Sequence, residues 1–197
     1  MAAIGCKKEK YVKPMSEAAY ATVDRACGVY RLMSMDWTGD PVDLDGDGVA
    51  QESLLEECLA GNYGGYFFQD DIIEWTLSPI SMYKYEEQVF IPFFHGNYIR
   101  GNNNTSYYSL SAIKGKIQIL EDGTLDIQVP EYQLLGNSTT PDEEICAVRD
   151  ITVSWEPDGD FLVAGTTLFR DERTGENVTG RETLRYHCVS TKEKKKR

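Results

Sequence analysis

Asp43, Asp45 and Asp47 stand at every second position of Asp40-Pro41-Val42-Asp43-Leu44-Asp45-Gly46-Asp47-Gly48. Acids at that spacing let alternate carboxylates converge on one hard cation, and the closing glycine permits the sharp turn that brings them together. They take positions 1, 3 and 5 of a calcium-loop pattern, with Gly48 at 6, the Val49 carbonyl at 7 and Gln51 at 9. Position 12, where a bidentate acid belongs, is Leu54; Glu52 or Glu56 could substitute only with altered geometry. The expected ligand set is Asp43, Asp45, Asp47, Val49 and Glu52. The missing acid predicts weak, structural Ca2+ binding toward the millimolar end of the range. The competing reading uses the same residues as an Asp-rich turn that caps local amides.

No other group of residues is arranged for chemistry. The two histidines, His95 and His187, read as structural or exposed. Adjacent strand residues point to opposite faces, so His187 and Cys188 cannot work as a dyad. The pairs Asp70-Asp71 and Glu86-Glu87 lie at loop edges, where acids are solvated far more often than they flank a cleft. The expectation is a protein that is not an enzyme. The aromatic runs suit binding better. Tyr63, Phe67, Phe90 and Phe94 would line a lumen able to hold a small apolar or amphipathic ligand, or would simply fill it.

These residues need elements to position them. Ser16 caps a short helix running to Arg25, and Cys27 to Trp37 reads as the first strand. The acidic loop follows. Ser53-Leu54-Leu55-Glu56 is then a capping box that opens a second helix to about Ala60, with Leu54, Leu55, Cys58 and Leu59 as its apolar stripe. Beyond it the pattern is β. Segments 64–69, 72–77, 89–98 and 107–110 read as strands, and 135–144 as a loop. Asp122-Gly123 joins the alternating runs 116–120 and 124–129 into a hairpin. A second hairpin joins 151–155 to 161–169, and a last strand covers 183–189. The expected fold class is all-β, mainly antiparallel, with one or two short helices, either a β-barrel or a β-sandwich. If the sheet closes, first and last strands are neighbours and Cys27–Cys188 is the favoured disulfide; free thiols are the alternative.

Charge narrows the partners. The 1–13 head carries four lysines against one glutamate, and the 192–197 tail five bases against one glutamate. With those ends at +3 and +4, the chain's −12 leaves the body at −19. Such a body repels phosphate backbones, which argues against nucleic acid. No run reaches the ~18 apolar residues of a membrane-spanning helix. The reading divides into a 1–15 tether, a 16–191 domain and a 192–197 basic tail; oligomeric state is left open.

Ala3-Ile4-Gly5-Cys6 resembles the bacterial lipobox, in which small residues precede an acylated cysteine, so Cys6 is the expected lipidation site and membrane anchor. Gly28-Val29-Tyr30 resembles the Gly-x-Trp that opens the first lipocalin strand, with Tyr in place of Trp. Together with the Pro41-to-Gly48 loop and the hairpins, the chain resembles the lipocalin-like lipoproteins of Bacteroidota-type bacteria, most closely over residues 27–68. The resemblance implies a lipocalin-like barrel, with Arg181 or Arg185 stacked over Tyr30. It implies an address in the cell envelope, anchored at the outer membrane. The function expected is a tethered module for a small apolar ligand. The alternative is a surface interaction lipoprotein with a filled barrel that binds a protein or glycan.

Overall fold

The computed structural model describes residues 15–60, 74–77, 86–100, 105–135 and 143–191. Helix α1 (Glu17–Ala26) begins at Ser16, whose Oγ accepts from the Ala19 amide at 3.1 Å. Glu17 in its first turn and Arg25 in its last complement the helix dipole. The helix also docks on the next layer: Ser16 Oγ and Thr22 Oγ1 donate to the carbonyls of Glu121 (2.5 Å) and Gly123 (2.6 Å).

The strands are β1 (Gly28–Trp37), β2 (Glu74–Leu77), β3 (Glu86–Arg100), β4 (Thr105–Ile119), β5 (Leu125–Gln128), β6 (Tyr132–Leu134), β7 (Ala147–Trp155), β8 (Phe161–Arg170) and β9 (Asn177–Thr191). Two further helices are α2 (Leu54–Ala60) and the single turn α3 (Glu143–Cys146). All described pairings are antiparallel, so the chain is mainly antiparallel β with short helices. The strands form a six-stranded sheet, ordered β2-β1-β9-β8-β7-β6, and a three-stranded sheet, β3-β4-β5. Each strand pairs only with its neighbours in sequence, and β9 returns to β1. This is the order of an up-and-down meander interrupted between β2 and β3 and between β5 and β6.

Among the described residues these are two open sheets, not one closed barrel. The interruption after β5 has a local cause. Pro130 has no amide to offer a ladder, and the flanking strands have only four and three residues. Gln133 spans the gap instead. Its Oε1 accepts from the Lys114 amide and its Nε2 donates to the Lys114 carbonyl, both at 2.9 Å, so one side chain replaces a ladder pair.

Other departures from the sequence pattern have similar causes. The runs 107–110 and 116–120 are parts of one strand, β4, because Ile113, Gly115, Ile117 and Ile119 keep one face buried without a break. Residues 143–146 turn once as α3 inside what reads as loop. The strand expected at 64–69 lies outside the described residues, as do 1–14 and 192–197.

The core lies between the sheets. Phe161, Val163 and Phe169 of β8 and Leu184 and Tyr186 of β9 face Ile91 and Phe93 of β3; none of them is exposed. Tyr30 meets Phe161 edge-on at 4.9 Å, and Trp37 meets Phe169 at 5.3 Å. The Tyr186 hydroxyl donates to the Pro92 carbonyl at 2.7 Å, which ties β9 to β3.

Closure of β9 on β1 brings Cys27 and Cys188 to one region, but neither is in a disulfide. The register explains this. Cys188 stands opposite Tyr30, and Gly28 opposite Thr191. Cys27 is therefore offset by three residues, roughly 10 Å along the strand, beyond the ~7 Å Cα reach of a disulfide.

The expected Arg–Tyr30 stack is also replaced. Positions 182, 184 and 186 of β9 face inward and are buried, so Arg181 and Arg185 lie on the outer face. Arg181 bonds the Asp150 carbonyl (2.9 Å) and Thr152 Oγ1 (2.8 Å), and Arg185 bonds Asp160 (2.8 Å).

Candidate metal centre

The loop between β1 and α2 is organised by its own carboxylates. Asp43 Oδ1 accepts from the Gly46 amide (2.6 Å) and Oδ2 from the Gly48 amide (2.9 Å). Asp45 and Asp47 each accept from the amide two residues on, at 2.9 and 2.7 Å. Gly48 has φ of 88°, a conformation that side-chain-bearing residues rarely adopt. Paired amides of Val42 and Gln51 close the loop base.

Two elements seal this loop from opposite sides. On one side Glu57 of α2 accepts from the Leu44 amide through Oε2, at 2.8 Å. On the other lies the β8–β9 turn, where Asp171 Oδ1 accepts from the Asp43 amide (3.3 Å) and the Glu172 amide donates to the Asp43 carbonyl (2.8 Å). Burial pushes the Asp171 carboxyl up, but hydrogen bonds from Thr174, Arg173 and the Asp43 amide outweigh it and hold it below the usual carboxylate range.

Asp43, Asp45 and Glu57 each present an oxygen within 4.8 Å of the others. Asp43 and Glu57 are only 1% exposed, and Asp45 is half-buried. Burial raises the Glu57 carboxyl above its ordinary range, and the charges of Asp45 and Asp43 raise it further, against the lowering effect of the Leu44 amide.

The structure thus brings together two of the five expected ligands and adds one. Asp47 and Glu52 are exposed and outside that cluster, and Val49, whose carbonyl was the expected ligand, is an exposed residue. Glu57 takes the acidic role assigned to Glu52, because the turn of α2 carries it inward beside Leu54. An acid three residues beyond Leu54, on the edge of the helix's apolar stripe, is the signal that could have found it.

Of the four expected ligand-binding aromatics, the described residues include Phe90 and Phe94. Phe94 is buried against Tyr108, with ring centroids 6.4 Å apart, whereas Phe90 is 51% exposed. Tyr63, Phe67 and Cys6 lie outside the described residues. Phe90 stands opposite Lys114 on the outer side of the three-stranded sheet. Beside it is an open groove of about 390 Å³, lined by Gln88, Lys114, Lys116, Gln128, Val129 and Pro130.

His95 is fully buried. Its Nδ1 lies 2.6 Å from the Gly96 carbonyl, a pure acceptor, so Nδ1 carries the proton and Nε2 accepts from Ser111 Oγ at 2.9 Å. Burial holds the imidazole neutral, with its pKa down to about 4. The pair is oriented like a nucleophile and its base, but among the described residues no acid supports the ring, and its burial keeps substrate from it. His187, itself exposed, pairs instead with the buried Asp160 at 2.6 Å. No family model, curated protein or solved structure matches the chain.

Proposed function

We propose that this chain is a cell-envelope lipoprotein, anchored through an acylated Cys6, whose β-domain recognises a protein or glycan partner with its outer surface. One observation supports the reading: among the described residues, the aromatic side chains between the sheets have no surface open to water. Tyr30, Phe93, Phe161, Phe169 and Tyr186 are all fully buried there and pack on one another, as interiors at crystal-like density do. Recognition is then left to the outside, where Met33 (52%), Phe90 (51%) and Tyr132 (48%) stay exposed on an acidic body. Phe90 beside Lys114 and the groove gives this surface one apolar and cationic patch in a chain of net charge −12.

Native mass spectrometry of protein purified from its own host's membranes tests this. The expected mass is the chain from Cys6 with its acyl groups and no additional small molecule. A stoichiometric apolar molecule held by the domain would favour the lumen-binding alternative. The tether is tested separately: Cys6→Ala should move the protein from the membrane to the soluble fraction, and retention would contradict the anchor.

A further inference from the structure

The geometry points to a hard divalent cation, calcium, held by the carboxylates of Asp43, Asp45 and Glu57. Three acids close together would not suffice, since exposed acidic turns are common without an ion. The second observation is the state of Glu57. Its side chain is buried, its Oε2 is satisfied by the Leu44 amide, and its Oε1 has no hydrogen-bond partner although it is shut away from water. Among the described residues, no lysine, arginine or histidine forms an ion pair with any of the three acids.

Two buried carboxylates and a half-buried one, within 4.8 Å and without a base, must be neutralised by a proton or a cation. A proton on Glu57 Oε1 would itself need an acceptor, and none lies at hydrogen-bond distance from it among the described residues. A cation satisfies the orphan oxygen and removes the mutual repulsion in one step. The donor set is all oxygen, which excludes a zinc preference. The donors come from a loop and a helix with one partly open side, where waters complete the shell. That suits the larger, irregular coordination of calcium better than the strict octahedron of magnesium.

The ion would join three elements. Glu57 belongs to α2, Asp45 to the loop after β1, and Asp43 holds the β8–β9 turn through its own amide and carbonyl. Binding should therefore be read as stability.

After chelator treatment, Tm is measured with CaCl2 and with NaCl of equal ionic strength. Calcium at a hundredfold excess over Kd should raise Tm by roughly 5 °C or more, and NaCl should not. Glu57→Gln and Asp45→Asn should each abolish the calcium-dependent rise. Asp47→Asn and Glu52→Gln should keep it. If Glu57→Gln does not fold, the half-exposed Asp45→Asn carries the test, with calorimetric titration of CaCl2 as a second readout. The site is overturned if calcium leaves wild-type Tm unchanged, or if the rise survives both Glu57→Gln and Asp45→Asn. Loss of the rise in Asp47→Asn would place the ion in the alternating loop without Glu57 and would equally overturn it.

Discussion

An alanine at Gly96 should cost the domain more than ~4 kcal/mol of stability. Gly96 is where β3 crosses β8. A Cβ built there would overlap the Leu168 carbonyl oxygen and press within 3.0 Å of the Ile145 carbonyl oxygen. Both obstacles are backbone atoms, of β8 and of α3, so no side chain can rotate away. Relief requires lifting β3 off β8, which breaks the Gly96 amide's bond to Thr167 Oγ1 and unseats Phe93 from the core. Overpacking that side chains can absorb costs about 1–3 kcal/mol; backbone overlap should exceed ~4 kcal/mol. Against a total stability of roughly 5–15 kcal/mol, that is at least about a quarter and as much as four fifths of it. Urea unfolding followed by tryptophan fluorescence measures it. Phe90→Ala, six residues earlier on the exposed side, should change stability by less than ~1 kcal/mol. A Gly96→Ala protein as stable as the wild type would mean that the sheets do not meet at this point.

Replacing Glu182 with methionine should have the opposite sign and raise Tm at pH 7 by about 3–10 °C. Glu182 projects from β9 into the core; it is fully buried and neither carboxyl oxygen has a hydrogen-bond partner. Burial holds it protonated well above the ordinary glutamate range. Even neutral, an unsatisfied buried polar group costs about 1–3 kcal/mol, and methionine has nearly the same volume. In a domain of this size each kcal/mol moves Tm by about 2–4 °C.

The pH dependence follows from the sign of the shift. A carboxyl whose folded pKa is raised contributes most below its unfolded value, near 4.5, and loses that contribution as pH rises. The gain from Glu182→Met should therefore grow with pH from about 4.5 upward. His95 runs the other way: its folded pKa is depressed to about 4, so stability falls as pH drops below 6.5 in wild type and variant alike. Only the difference between the two proteins isolates Glu182. A variant less stable than wild type would show that the carboxyl has a partner worth more than its burial costs.

Local chemistry was readable in the sequence where it was decided locally. Ser16 caps α1 because its hydroxyl meets an amide three residues on, and Asp122-Gly123 turns a hairpin because both flanks alternate. Asp43 and Asp45 converge because alternate loop residues share a side. Closure of β9 on β1 followed from a meander with short connections. What stayed hidden depends on three-dimensional placement. Glu57 reaches the acidic loop through a helix turn, so counting to position 12 leads to Leu54 and not to the acid. Glu182 alternates inward with Leu184 and Tyr186, but it lies outside the 183–189 run that reads as the last strand, whereas β9 begins at Asn177. The disulfide failed on register: adjacency of β1 and β9 was legible, a three-residue offset was not. The two sheets part at Pro130, a visible breaker, yet no sequence pattern announces that Gln133 will bridge the gap.

Native-state hydrogen exchange is the most direct test of whether both sheets enclose one packed interior. Predicted is that slow amides in β3, around Phe93, and in β8, from Phe161 to Phe169, exchange through the same global opening with equal free energies. If the β3-β4-β5 sheet opened on its own, several kcal/mol below β8 and β9, the sheets would have separate cores. The single shared interior, and the surface reading that rests on it, would then be contradicted.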